Sequence, residues 1–72
     1  MNLWQAEEGV EYTVERIESG DEELESFLFT LGCYSGEPIT VILRRKRILI
    51  VSIKDGRYSV DRRLAESILL RA

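Results

Sequence analysis

The 72-residue sequence has no histidine, one cysteine, one proline and one tryptophan. Each shortage excludes a class of chemistry. Without imidazole and with a single thiol, the usual donor sets for zinc or non-haem iron are missing. Any cation would have to rest on carboxylates, which suit hard ions held weakly. No Ser/His or Cys/His nucleophile pair can be assembled. Cys33 has no partner for an internal disulfide, so a reducing compartment is expected. None of the five glycines is adjacent to another, and no glycine-rich phosphate loop is formed. The longest unbroken apolar run, Ile48 to Val51, is four residues against the ~20 of a membrane-spanning helix. The opening Met1–Glu8 lacks the basic stretch and apolar run of a secretory signal. These exclusions point to a cytoplasmic binding or regulatory module that needs no cofactor and is not an enzyme.

What is present fits one small domain over residues 1–72. A chain of this length removes only about 60% of its extended-state surface on folding, so the core must be small. Charge is unevenly distributed. Residues 1–36 carry nine acids and one base, net −8, whereas residues 37–72 carry nine bases and four acids, net +5. Such asymmetry can steer a charged partner or draw the two halves together.

The apolar pattern changes period along the chain. Val10 to Glu15 alternates as a half-buried strand, and Ile17 breaks the phase, predicting a bulge or a change of face near Arg16. Ser19 and Glu22 have capping-box spacing, and Leu24, Phe27, Leu28 and Leu31 then form a helical stripe that Gly32 ends. From Ile39 the period is two. Ile39, Val41 and Leu43 face one way, while Thr40, Ile42 and Arg44 face the other. Ile48–Ile53 reads as a strand covered on both faces. Asp55-Gly56 marks a tight two-residue hairpin, and Tyr58 and Val60 continue the return strand. Asp61 can cap a short helix to about Ser67, and Ile68–Arg71 can form a last strand. The expected fold is therefore mainly β: a five-stranded barrel with one amphipathic helix over its open end and a short C-terminal helix.

Several ordered segments resemble a known family. Leu3, Ala6 and Gly9 precede the strand Tyr12-Thr13-Val14. The run Phe27 to Gly32 ends a helix in Leu-Gly, and Cys33-Tyr34-Ser35-Gly36 links it to the strand beginning Glu37-Pro38-Ile39. Arg57–Asp61 and Leu64–Ile68 close the series. Together they resemble the ferrous iron transport protein A (FeoA) family of small SH3-like barrels. Ser35 stands where a proline often precedes the glycine, and the turn at Arg45-Lys46 is shorter than in many relatives. The resemblance implies an accessory protein of bacterial ferrous iron uptake, acting on FeoB, a membrane permease with a cytoplasmic GTP-binding domain. The same barrel occurs as the C-terminal domain of metal-dependent repressors of the diphtheria toxin repressor type.

The candidate partner-binding residues are Phe29, Cys33 and Tyr34, with the basic turn Arg45-Lys46-Arg47 as electrostatic guide. Phe29 is displaced from the apolar stripe, and exposed aromatics are natural anchors. Cys33, at a helix C-terminus where a thiolate is disfavoured, is more often a small buried residue than a ligand or redox centre. The basic turn is also consistent with a solvated hairpin tip. Trp4 is expected in the core. Asp21, Glu22, Glu23 and Glu25 could hold a cation loosely, although acids favour a helix start in any case. Two other functional classes stand beside the leading one: a nucleic-acid-binding SH3-like or OB-like barrel, and a carboxylate-based metal-ion-responsive module. The net charge of −3 and the lack of aromatics on the basic strands apart from Tyr58 count against nucleic acid. Self-association is left open.

Overall fold

The computed structural model describes residues 1–71. A 3₁₀ turn at Leu3–Gln5 leads into β1 (Glu11–Ile17), α1 (Glu22–Leu31), β2 (Pro38–Arg44), β3 (Ile48–Ile53), β4 (Gly56–Asp61), α2 (Arg62–Ser67) and β5 (Ile68–Leu70). All five strands belong to one antiparallel sheet in the order β4-β3-β2-β1-β5. The alternation read in the sequence places Val14, Ile39, Val41, Leu49, Val51, Ile53 and Val60 inward, where each is buried. Two register shifts, between Val14 and Arg16 and between Val41 and Leu43, let the sheet curl around this core. The first is the bulge that Ile17 predicts.

The expected closure of the sheet is not observed. No ladder joins β4 to β5. Instead α2 bridges them, packing against the 3₁₀ turn with Ala65 buried. The outer edge of β5 is covered by the N-terminus: Asn2 bridges Leu69, and the Leu70 amide donates to the Met1 carbonyl at 2.8 Å. Three amide and side-chain links fasten that segment to β2. The Gly9 amide donates to the Val41 carbonyl at 2.9 Å, and Arg44 Nη2 donates to the carbonyls of Trp4 and Ala6 at 2.7 and 2.8 Å.

Several local expectations are corrected. The N-cap of α1 is Asp21, not Ser19. Its carboxylate accepts from the amides of Glu23 and Leu24 at 3.0 and 3.2 Å, because Gly20, at φ +72°, turns the chain between Ser19 and the helix. Ser19 supports the cap from outside, accepting from the Asp21 amide and donating to Glu25 Oε2, each at 3.0 Å. Phe27 is 54% exposed and leaves the stripe; only Leu24, Leu28 and Leu31 meet the core. With ~100° per residue, those three cluster around one direction and Phe27 lies on its margin. Strand β3 buries one face and only half covers the other. The two-residue loop between β3 and β4 is Lys54-Asp55, since Ile53 pairs with Gly56; Lys54 takes the left-handed conformation at φ +55°. Ile42, beside the β2 bulge, is exposed. Trp4 is half-buried, with the guanidiniums of Arg44 and Arg62 at 5.1 and 5.4 Å from its ring centroid.

Candidate functional site

The helix α1 ends where the β3–β4 loop passes, and that junction gathers aromatic side chains around a lysine. Gly32 ends the helix at φ +92°, and the Cys33 amide closes back onto the Leu28 carbonyl at 2.9 Å. A side chain at position 32 would meet Lys54 Cγ at 2.7 Å, so glycine is required both for the turn and for the passage of Lys54. Phe29, 62% exposed, projects from the far side of α1 and its ring meets that of Tyr34, with centroids 4.7 Å apart and planes tilted by 31°. Lys54 Nζ lies 5.7 Å from the centre of the Tyr34 ring and donates to Glu37 Oε2 at 2.8 Å. Tyr58, half-buried, folds its ring over Gly56 and completes the lining of a shallow groove.

Electrostatically this corner is internally matched. The hydrogen bond from Lys54 holds the Glu37 carboxyl below its ordinary range, and the same bond holds the Lys54 ammonium above its own. What the corner offers a partner is therefore aromatic surface with a fixed ion pair at its rim.

The residues expected to form one contact surface divide into three situations. Phe29 and Tyr34 come together at the groove. Cys33, next to them in sequence, is 1% exposed, so its side chain presents no surface to a partner; burial also pushes its thiol up to about 11. Its inward direction follows from the helix-ending turn, which sends residue 33 into the core and residue 34 outward. Arg45, Lys46 and Arg47 are exposed in the β2–β3 turn. That turn and the Lys54-Asp55 loop lie at opposite ends of β3, whose six residues span roughly 20 Å. The aromatic corner and the basic turn are thus separate features.

Lys54, Glu37 and Tyr58 were not among the expected site residues. The local signal for Lys54 was its place in the hairpin loop, but nothing local links it to Glu37, seventeen positions away. The acids at the start of α1 do not converge: Asp21 caps the helix and Glu25 is held by Ser19. Among the described residues, no three His, Cys, Asp or Glu side chains are grouped to hold a metal ion.

A five-stranded curled sheet, sealed by a short helix between its last two strands, defines the chain as a small SH3-like domain. The FeoA domain family model matches residues 1–72, so the chain belongs to the FeoA family, which is associated with ferrous iron transport. It superposes on FeoA of Stenotrophomonas maltophilia, a procaryotic SH3 domain protein crystallised with zinc, at a TM-score of 0.88 and 17% identity, covering 99% of this chain and 89% of that one. An iron uptake regulatory protein (FeoA) gives a TM-score of 0.87 at 22% identity, with 99% and 95% coverage. Iron(II) transport protein A of Clostridium thermocellum gives 0.87 at 24% identity, with 97% of this chain and 44% of that one. The same fold occurs within a manganese-dependent transcriptional repressor, at a TM-score of 0.83 and 23% identity over 94% of this chain and 39% of that chain. No curated protein matches the chain. Among the described residues, no helix is long and apolar enough to cross a membrane.

Proposed function

We propose that this protein is an accessory factor of ferrous iron uptake that docks through Phe29 and Tyr34 on the cytoplasmic part of a FeoB-type GTP-binding permease. It acts by binding, in the cytoplasm, and modulates the permease's GTPase or transport cycle without catalysing a reaction itself. The observation that carries this reading is the exposed Phe29 ring, stacked on Tyr34 beside an ion pair and serving no core contact. Rigid aromatic rings at a surface contribute contact area at little entropic cost. The basic turn Arg45-Lys46-Arg47 lies outside that contact and serves as its electrostatic guide, raising the encounter rate with an acidic partner. Titration of isotopically labelled protein with the permease's soluble GTP-binding domain, and separately with the full permease, provides the test. Amide shifts should concentrate at residues 29–34 and 54–58. Unchanged signals with both partners would overturn the proposal.

A further inference from the structure

The sheet has two edges, and the chain treats them differently. The outer edge of β5 is covered by Met1 and Asn2, whereas β4 has a ladder on one side only. The register of β4 fixes which of its backbone groups face away from β3. A two-residue hairpin loop is flanked by a hydrogen-bonded pair, here Ile53 and Gly56, and bonded and non-bonded pairs then alternate along the ladder. Gly56, Tyr58 and Val60 therefore bond to β3. Arg57 and Ser59 direct their amides and carbonyls outward and Asp61 its amide, the Asp61 carbonyl being taken by the first turn of α2; the side chains of all three residues are exposed. Of the usual edge protections β4 has charged side chains, those of Arg57 and Asp61, but no proline, no bulge and no inward-pointing charge.

The side chains along this edge are self-complementary. Arg57 and Asp61 lie symmetrically about Ser59. In an antiparallel pairing with a second copy, centred on Ser59, Arg57 of one copy stands opposite Asp61 of the other, and this occurs twice. Among the described residues Arg57 is in no ion pair. Asp61 uses Oδ1 to accept from the Leu64 amide at 2.8 Å, leaving its second oxygen available. The backbone phase agrees with the charges. In this register Ser59 exchanges two hydrogen bonds with its own symmetry mate, and each Asp61 amide reaches the facing Arg57 carbonyl. A one-residue slip destroys both the bonding phase and the charge match.

We propose that β4 is a homodimerisation edge, with two copies pairing antiparallel about Ser59 to join their sheets. The contact is smaller than a standard protein interface, so the dimer is weak and forms with rising concentration. It is independent of the Phe29–Tyr34 corner, and the two readings can fail separately.

Sedimentation over a concentration series, with wild type and two edge variants, provides the test. Arg57→Glu places like charges opposite Asp61. Ser59→Pro removes an outward amide while leaving the β3 ladder intact. Each should abolish the dimer, with thermal unfolding confirming that the variant is folded, and Phe29→Ala should dimerise as wild type does. The register is tested by Ser59→Cys, because hydrogen-bonded antiparallel partners have Cα atoms about 5.5 Å apart, within disulfide reach. Under mild oxidation Ser59→Cys should yield a covalent dimer at concentrations where Ser35→Cys, also exposed, does not. A wild-type protein that stays monomeric throughout, or a dimer that persists in folded Arg57→Glu and Ser59→Pro, would overturn the proposal.

Discussion

Leu28 and Phe29 are neighbours in sequence, yet α1 turns them about 100° apart and gives them opposite roles. Leu28 is fully buried, whereas Phe29 is 62% exposed. Leu28→Ala should cost ~2–5 kcal/mol through lost burial and an unfilled cavity, a large part of the ~5 kcal/mol that a domain of this size can have in total. Phe29→Ala should lower the melting temperature only slightly while removing affinity for the GTP-binding domain. Thermal unfolding and binding measured on both variants separate the roles; equal destabilisation would place the Phe29 ring in the core. Cys33 gives a second residue-scale expectation. Its thiol is pushed up from 9.0 to about 11 by burial, so native protein should resist alkylation at neutral pH. The linked effect on stability has a definite sign. Below about pH 9 folded and unfolded chains both hold the proton; as pH rises from there toward 11 the unfolded chain ionises first, so this contribution to stability declines. Denaturant midpoints across that range, compared with Cys33→Ala, report the difference.

The elements were legible in the sequence where one local signal decided them. The Ile17 phase break announced the bulge in β1, Asp61 announced the cap of α2, and Gly32 announced the end of α1. Errors arose where two local signals competed. Ser19 and Asp21 both offer cap oxygens, and Gly20 between them decides in favour of the nearer one. Phe27 fits the helical stripe by spacing, but whether a marginal position is covered depends on what lies beneath it. The candidate site was half legible for the same reason. Phe29 and Tyr34 follow from helix phase and the helix-ending turn, whereas the Lys54–Glu37 pair exists only once the β3–β4 loop has folded against α1. Gly32 couples these levels. Gly32→Ala would force a non-glycine residue into the left-handed region, at a cost on the order of 1–3 kcal/mol, and would press on Lys54 Cγ at 2.7 Å. We therefore expect both a lower melting temperature and large amide shifts at Lys54, Glu37 and Tyr34. A loss of stability with those three signals unmoved would show that the glycine serves the helix end alone.

At the scale of the whole molecule, the sheet encloses its core without closing on itself. Local sequence cannot convey this, because the pieces that finish the enclosure come from the two ends of the chain. Arg44 joins them. Its guanidinium donates to the carbonyls of Trp4 and Ala6 and lies over the Trp4 ring, while Arg62 at the start of α2 covers that ring from a second position. The Glu8 carboxylate accepts from the Arg44 amide, adding a further link between β2 and the N-terminal segment. Hydrogen bonds to charged groups contribute about 1.5–3 kcal/mol each. Arg44→Gln, which keeps much of the side chain's reach but loses the charge and the fork, should cost about 2 kcal/mol. The loss should be local before it is global. Releasing the first residues would uncover β5, so the Leu70 amide, which donates to the Met1 carbonyl, should exchange with solvent faster than amides in β3. Trp4 is the only tryptophan, and its fluorescence should shift to the red in the folded variant as the ring gains water. An unshifted emission, with Leu70 exchange no faster than in wild type, would mean that burial of Leu3 and Ala6 holds the segment by itself and that Arg44 is incidental to the enclosure.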